Sequence, residues 1–154
     1  MHFEASVAGA IPAIHPQLRD LRANKIKSIT GIINGTTNYI LTNMVQKGMA
    51  FDNVLSEAQS LGYAESDPTS DVEGYDAAYK IAILASLAFD QRVSPDDVIT
   101  EGISKIEPKD LEYAAELGYA VKLLAIAEQK EDGCLVRVHP TLLPEQTPLA
   151  KIDG

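Results

Sequence analysis

The 154-residue chain is 45% hydrophobic and 23% charged, which is typical of a globular protein and favours a single domain. Its net charge of -9 has the wrong sign for binding a nucleic-acid backbone or an anionic membrane surface. The longest apolar run, residues 81–89 with Ser86 inside it, is far shorter than the ~20 residues that cross a bilayer. The single cysteine, Cys134, excludes an internal disulfide. We therefore expect a cytoplasmic protein with neither nucleic acid nor membrane as a partner.

The first elements alternate between strand and helix. Residues 3–7 have the alternation of a short strand, and the small residues after it leave the backbone open to close approach. Pro12 is placed for the first turn of a helix, whose apolar residues recur through Leu21. Residues 26–33 are rich in isoleucine and alternate between two reasonably apolar faces, which predicts a second strand.

Two helices are predicted after this strand. Asn34-Gly35 breaks the strand, and residues 36–38 can cap a helix that Gly48 closes. A second helix spans about residues 51–61 and ends at Gly62. The polar, acidic segment that follows, up to Gly74, predicts a loop.

The second half predicts helices followed by a hairpin. A helix from Tyr75 is apolar nearly all round and is expected to be buried, and Ser94 and Pro108 each open a further helix. Two β-rich runs flank Asp132-Gly133, which is a strong hairpin signal. Together these elements predict an α+β fold in which a mixed β-sheet is covered on one face by helices.

The chemistry-bearing residues concentrate between Gly62 and Lys80, where five acids precede the lysine: Glu65, Asp67, Asp71, Glu73 and Asp76. Asp76 and Lys80 are four residues apart, so a helix places them on one face. A buried amine beside a carboxylate can donate a proton to a carbonyl near neutral pH. The spacing alone is more often an exposed ion pair, but the apolar helix around Lys80 makes it a candidate catalytic residue.

Two other site hypotheses are less favoured. The acidic loop does not match a calcium-binding EF-hand, because Pro68 interrupts it and Ser70 and Gly74 fall at the wrong positions. A solvated loop is the simpler interpretation. Residues 34–38 could hold a carboxylate or an oxyanion with backbone N–H groups and hydroxyls, although helix capping also explains them.

Three segments together carry a resemblance to a known enzyme family. The most specific is Gly62-Tyr63-Ala64-Glu65-Ser66-Asp67-Pro68, followed by Asp71-Val72-Glu73-Gly74-Tyr75-Asp76 and Lys80. Residues 4–12 and 31–41 support it in the same order. With these segments the sequence resembles homoserine dehydrogenases, and the resemblance covers essentially the whole chain. It implies the catalytic, substrate-binding domain of an oxidoreductase that reduces L-aspartate 4-semialdehyde to L-homoserine with NAD(P)H. That reaction belongs to threonine, methionine and isoleucine biosynthesis.

The resemblance also implies roles for single residues. Lys80 matches the group that donates and accepts a proton at the substrate oxygen, and Asp76 positions the substrate beside it. Glu65 and Asp71 match acids around the substrate amino group. Further substrate contacts are implied at Thr36 and Tyr63, and cofactor contacts are implied at Gly62 and Glu65. A site for a monovalent cation, Na+ or K+, made largely by backbone oxygens, is implied at Glu4, Val7, Gly9 and Ile11.

The match to the family is incomplete. Ala10 stands where the family usually has a glycine, and the chain has neither GxGxxG nor GxxxxGK[ST]. Residues 1–154 are therefore expected to form one catalytic, substrate-binding domain that lacks the N-terminal NAD(P)-binding Rossmann domain and is inactive alone. Both ends of the sequence fall within apparent elements, as in a fragment. The resemblance further implies a homodimer formed through the sheet.

Two alternatives remain open at the level of sequence. Lys80 could instead form a Schiff base in an aldolase or a decarboxylase, since a buried amine near acids can be a nucleophile. The chain could also be a non-catalytic module that binds a small cationic ligand through its acidic loop.

Overall fold

The computed structural model describes residues 3–9 and 11–153, so that His2 and Ala10 lie outside the described residues. Its strands are β1 (Ser28–Gly31), β2 (Ile99–Thr100), β3 (Tyr119–Lys130) and β4 (Gly133–Pro144). Its helices are α1 (Gly35–Lys47), α2 (Phe51–Ser60), α3 (Thr69–Val72), α4 (Tyr75–Phe89) and α5 (Pro108–Glu116). Short 3-10 turns span Glu4–Ser6, Pro95–Asp97 and Leu149–Lys151, and a π-helical turn spans Pro16–Asp20.

The four strands form one mixed sheet in the order β1-β3-β4-β2. Strand β3 runs antiparallel to both β1 and β4, whereas β2 runs parallel to β4. The β3–β4 hairpin pairs Lys130 with Gly133, so its two turn residues are Glu131 and Asp132, and Gly133 of the predicted Asp132-Gly133 signal begins β4. The predicted α+β class with a mixed sheet is confirmed.

The hydrophobic core lies between the sheet and helices α1, α4 and α5. These helices all contact β3, and the β3 residues that belong to the core alternate as Leu123, Ala125 and Ala127. Their small side chains let the helices approach the sheet closely. Helix α4 buries six residues here: Ala77, Ala78, Ile81, Ala82, Leu84 and Ala85. It is not buried all round as predicted, because Tyr75 and Tyr79 remain about half exposed.

The strand predicted over residues 3–7 is wrong. The Glu4 side chain turns back on the chain and accepts hydrogen bonds from the backbone N–H groups of Ala13 (2.6 Å), Ile14 (2.9 Å) and His15 (2.7 Å). Desolvation alone would raise the pKa of this carboxyl, but the amide hydrogen bonds outweigh it and the pKa is lowered. The segment is therefore a folded cap for the turn that follows it.

Other differences are local. Strand β1 is shorter than the predicted residues 26–33, and α1 is capped by Asn34 rather than by residues 36–38, since Asn34 Oδ1 accepts from Thr37 N at 2.9 Å. Helix α3 within the acidic segment and strand β2 were not predicted. Among the described residues, no helix combines the length and apolar character needed to span a membrane.

Candidate active site

Lys80 and Asp76 form an ion pair on α4. They lie one turn apart, and Lys80 Nζ is 2.5 Å from Asp76 Oδ2. The ammonium also donates to the carbonyl oxygen of Ile33, just after β1, at 3.3 Å. The side chains are 27% and 30% exposed, so the pair is partly desolvated but open to a ligand. Two of the three N–H donors of the ammonium are used in these contacts.

Asn34 joins this pair to a second carboxylate. Its Nδ2 donates to Asp71 Oδ1 on α3 at 2.6 Å and to Asp76 Oδ2 on α4 at 2.9 Å. Asp76 Oδ2 therefore accepts from both Asn34 and Lys80. The predicted residues Asp71, Asp76 and Lys80 are brought together through an amide that was not predicted as a site residue. The sequence did single out residues 34–38, but capping was sufficient to explain them.

Thr36 and Tyr63 are brought together beside this cluster. Thr36 Oγ1, in the first turn of α1, donates to the carbonyl oxygen of Tyr63 at 3.0 Å. The Tyr63 ring stacks on Tyr39 of α1, with ring centroids 4.7 Å apart, yet remains 60% exposed. Helix α1 thus fixes the chain segment that follows α2.

Gly62 and Glu65 lie in the same segment. Gly62 has φ +80, and no atom lies within 4 Å of where its Cβ would be, so its backbone faces open space. The Gln59 side chain donates to the Glu65 carbonyl oxygen at 3.0 Å and fixes the backbone there. Glu65 itself is exposed. The hydrogen bonds of the described residues do not link the Glu65 carboxylate to the Lys80 cluster.

The residues of the predicted cation site lie in the N-terminal turn. Val7 is buried, Ile11 is 70% exposed, and Gly9 has φ +55. The Glu4 carboxylate is already bound to three backbone amides, so only backbone oxygens here are suited to a cation. Within residues 3–9 and 11–153, no group of three or more His, Cys, Asp or Glu side chains is placed to hold a metal ion.

Comparisons with known proteins point to one enzyme family. The family model for homoserine dehydrogenase matches residues 12–154. The homoserine dehydrogenase of Neisseria gonorrhoeae is 53% identical over 154 residues, which are 100% of this chain and 35% of that protein. The crystal structure of a homoserine dehydrogenase from Thiobacillus denitrificans superposes with a TM-score of 0.96 at 54% identity, covering 99% of this chain and 35% of that one.

A more distant structure has the same fold. A hyperthermophilic archaeal homoserine dehydrogenase in complex with NADPH is 29% identical with a TM-score of 0.81, over 99% of this chain and 42% of that one. The chain thus spans about a third of the length of the curated relatives it matches. With a family match over nearly its whole length and the acid–lysine cluster that the resemblance predicted, this chain belongs to the homoserine dehydrogenase family.

Proposed function

We propose that this chain is the catalytic, substrate-binding part of a homoserine dehydrogenase, which reduces L-aspartate 4-semialdehyde to L-homoserine with NAD(P)H in the cytoplasm. The observation that carries the proposal is the half-buried Lys80 ammonium, held at 2.5 Å from Asp76. The substrate has a carbonyl that must be protonated during reduction and an ammonium group that needs carboxylate partners. A charged lysine beside clustered acids offers both.

Lys80 acts as the acid in the reduction. Its ammonium donates a hydrogen bond to the carbonyl oxygen and transfers the proton as negative charge develops there. NAD(P)H, when bound, supplies the hydride that reduces the carbonyl carbon. Asp76 keeps the ammonium oriented, and the resulting amine recovers its proton from water. In homoserine oxidation Lys80 takes the hydroxyl proton instead.

The side chains around Lys80 orient the substrate. Asp71, fixed by its 2.6 Å bond from Asn34, and the exposed Glu65 attract the substrate amino group. Thr36 and Tyr63, joined by their hydrogen bond, form a further wall for the substrate. Lys80 is then free to protonate the carbonyl oxygen.

The cofactor would meet this chain at Gly62. The missing side chain and open surroundings of Gly62 fit a bound molecule at close approach, with Glu65 three residues further on. The chain has no phosphate-binding glycine motif. We infer that residues 1–154 form one domain and that a separate N-terminal Rossmann domain holds most of the cofactor. The backbone oxygens of Glu4, Val7, Gly9 and Ile11 would bind Na+ or K+.

The family resemblance also supports a homodimer through the sheet. The strand residues that alternate with the core positions include Arg137 and His139, which are half-buried, and Thr30, which is exposed. Sedimentation of the complete dehydrogenase at micromolar concentration is expected to give a dimer, and a monomer would contradict this part of the proposal.

The central experiment replaces Lys80 by methionine in the complete dehydrogenase that contains this segment. We expect kcat for homoserine oxidation to fall by about 10²–10⁴-fold, as for loss of a general acid–base, with KM much less affected. Lys47→Met is the matched control, because Lys47 also pairs with one acid, Glu57, at 2.5 Å but lies at the other end of α1. Equal activities of the two variants would contradict the proposal.

Borohydride reduction distinguishes the Schiff-base alternative. A dehydrogenase forms no covalent bond between Lys80 and its carbonyl substrate, so we expect no modified lysine after treatment with borohydride and aspartate semialdehyde. Covalent trapping at Lys80 would favour a lyase. If the chain were a non-catalytic binding module, the unsubstituted protein would show no turnover. The Lys80→Met variant would also bind the ligand with unchanged affinity.

A further inference from the structure

Asn34 is a buried amide whose hydrogen-bonding capacity is fully used. It is 6% exposed and lies at the junction of β1 and α1. Its Nδ2 donates to Asp71 Oδ1 and Asp76 Oδ2, and its Oδ1 accepts from the backbone N–H (2.9 Å) and the hydroxyl (2.9 Å) of Thr37. An amide has two N–H donors and two acceptor lone pairs, and all four are satisfied here.

The chemistry of the neighbours allows only one orientation of this amide. The Thr37 backbone N–H can only donate, so it must face Oδ1, whereas ionised carboxylates can only accept and must face Nδ2. Rotating the amide by half a turn would oppose donor to donor and acceptor to acceptor. Asn34 is therefore held rigidly by α1 and holds Asp71 and Asp76 in turn.

This amide separates two like charges that share a small volume. Without a donor between them, the carboxylates of Asp71 and Asp76 would repel each other and move apart. The oxygen of Asp76 that accepts from Asn34 is the same oxygen that accepts from Lys80. A movement of that carboxylate would consequently carry the ammonium with it.

We propose that Asn34 is a positioning residue: it holds the carboxylates of Asp71 and Asp76 together and thereby fixes the Lys80 ammonium where the substrate oxygen is protonated. This inference rests on the proposed dehydrogenase function. Asn34 acts through its neighbours and takes no proton itself. Its role as N-cap of α1 is structural and separable from the bridge, because the cap uses Oδ1 and the bridge uses Nδ2.

Two substitutions separate the cap from the bridge. Asn34→Ser retains a good N-cap residue, but its single hydroxyl is too short to reach both carboxylates. Asn34→Asp retains the shape and the capping oxygen but replaces the donor by a further acceptor. Asn38→Ser is the matched control, because Asn38 is equally buried (5% exposed) on the same helix and bonds Lys122 instead of the acids.

In the complete dehydrogenase, we expect Asn34→Ser to lower kcat by about 100-fold, the effect of misplacing a catalytic group by roughly 1 Å. Asn38→Ser is expected to lower the melting temperature at least as much while keeping kcat close to that of the unsubstituted enzyme. This contrast distinguishes positioning from a general loss of packing.

Asn34→Asp adds a pH-dependent readout. The charged groups facing position 34 are Asp71 on α3 and Asp76 and Lys80 on α4. Two adjacent carboxylates favour the protonated form of the introduced acid, which can then donate one hydrogen bond as the amide does. Its activity relative to the unsubstituted enzyme should therefore rise as the pH is lowered. A purely structural effect gives a ratio that does not change with pH.

The outcomes distinguish the proposed function from the positioning role of Asn34. Full activity of Lys80→Met would overturn the proposed function itself. Loss of activity in Lys80→Met, with Asn34→Ser matching Asn38→Ser in kcat and a pH-independent ratio for Asn34→Asp, would overturn only the positioning role. A selective loss of kcat at position 34, together with the pH-dependent ratio, supports it.

Discussion

Gly102 is the position where a single added methyl group should disturb both the fold and the site. A Cβ at this residue would lie 2.3 Å from the Val72 carbonyl oxygen and 2.5 Å from Glu73 Cα. Both are backbone atoms at the junction of α3 and α4, so no flexible side chain can move aside. The Ile103 N–H also donates to the Val72 oxygen at 2.8 Å, which ties the two segments together.

The size of the effect follows from these distances. Ordinary Cβ contacts lie at 3.4–4 Å, so Gly102→Ala must separate the segments by about 1 Å, a strain that typically costs about 1–3 kcal/mol in a packed interior. For a domain of this length, that corresponds to a melting temperature lower by roughly 2–12 °C. Helix α3 carries Asp71, so the same displacement should lower kcat/KM for homoserine by up to about 100-fold.

Thermal denaturation and steady-state kinetics of the complete dehydrogenase test this expectation. Gly31→Ala is the matched control, because its Cβ would meet only Ile33 Cγ2 at an ordinary 3.6 Å. We expect the control to leave stability unchanged or raise it by up to about 1 kcal/mol. If Gly102→Ala and Gly31→Ala have the same melting temperature and the same kinetics, the reasoning from the close approach is refuted.

Two further substitutions test a buried hydrogen-bond donor in β3 and a carboxylate near the N-terminus. Lys122→Met should reduce the free energy of unfolding by about 1–3 kcal/mol, because the Asn38 side chain and the Ile152 carbonyl lose a buried donor; an unchanged denaturation midpoint would contradict this. Glu4→Gln tests the lowered pKa of the Glu4 carboxyl. A lowered pKa in the folded state stabilises the fold above the ordinary pKa of glutamate, and this contribution is lost as the pH falls through the folded value. The difference in free energy of unfolding between the unsubstituted protein and Glu4→Gln should therefore disappear at acidic pH. A difference that is constant with pH would exclude the capping role.

The sequence predicts the features of this fold that depend on neighbouring residues. The hairpin turn just before Gly133 and the Asp76–Lys80 pair depend on residues at most four positions apart, and both are present. The hydrogen bonds from Asn34 to Asp71 and Asp76 span 37 and 42 positions of the chain, and no local pattern encodes them. The fold-back of Glu4 likewise depends on amides about ten residues further on. Spacing and the apolar helix made Lys80 a candidate catalytic residue, whereas the roles of the other single residues came from the family resemblance.

The pairing of β1 with β3 sets the order in which the protein can assemble on the ribosome. Ser28 pairs with Glu128, about a hundred residues later in synthesis. The turn after β1 that carries Asn34, and the α4 pair that contacts the Ile33 carbonyl, therefore emerge long before the strand that holds β1 in the sheet. Loop closure of this length is slow compared with helix formation. Until β3 is complete, the helices of the nascent chain lack the strand that covers their apolar faces. These faces are therefore open to chaperones during synthesis.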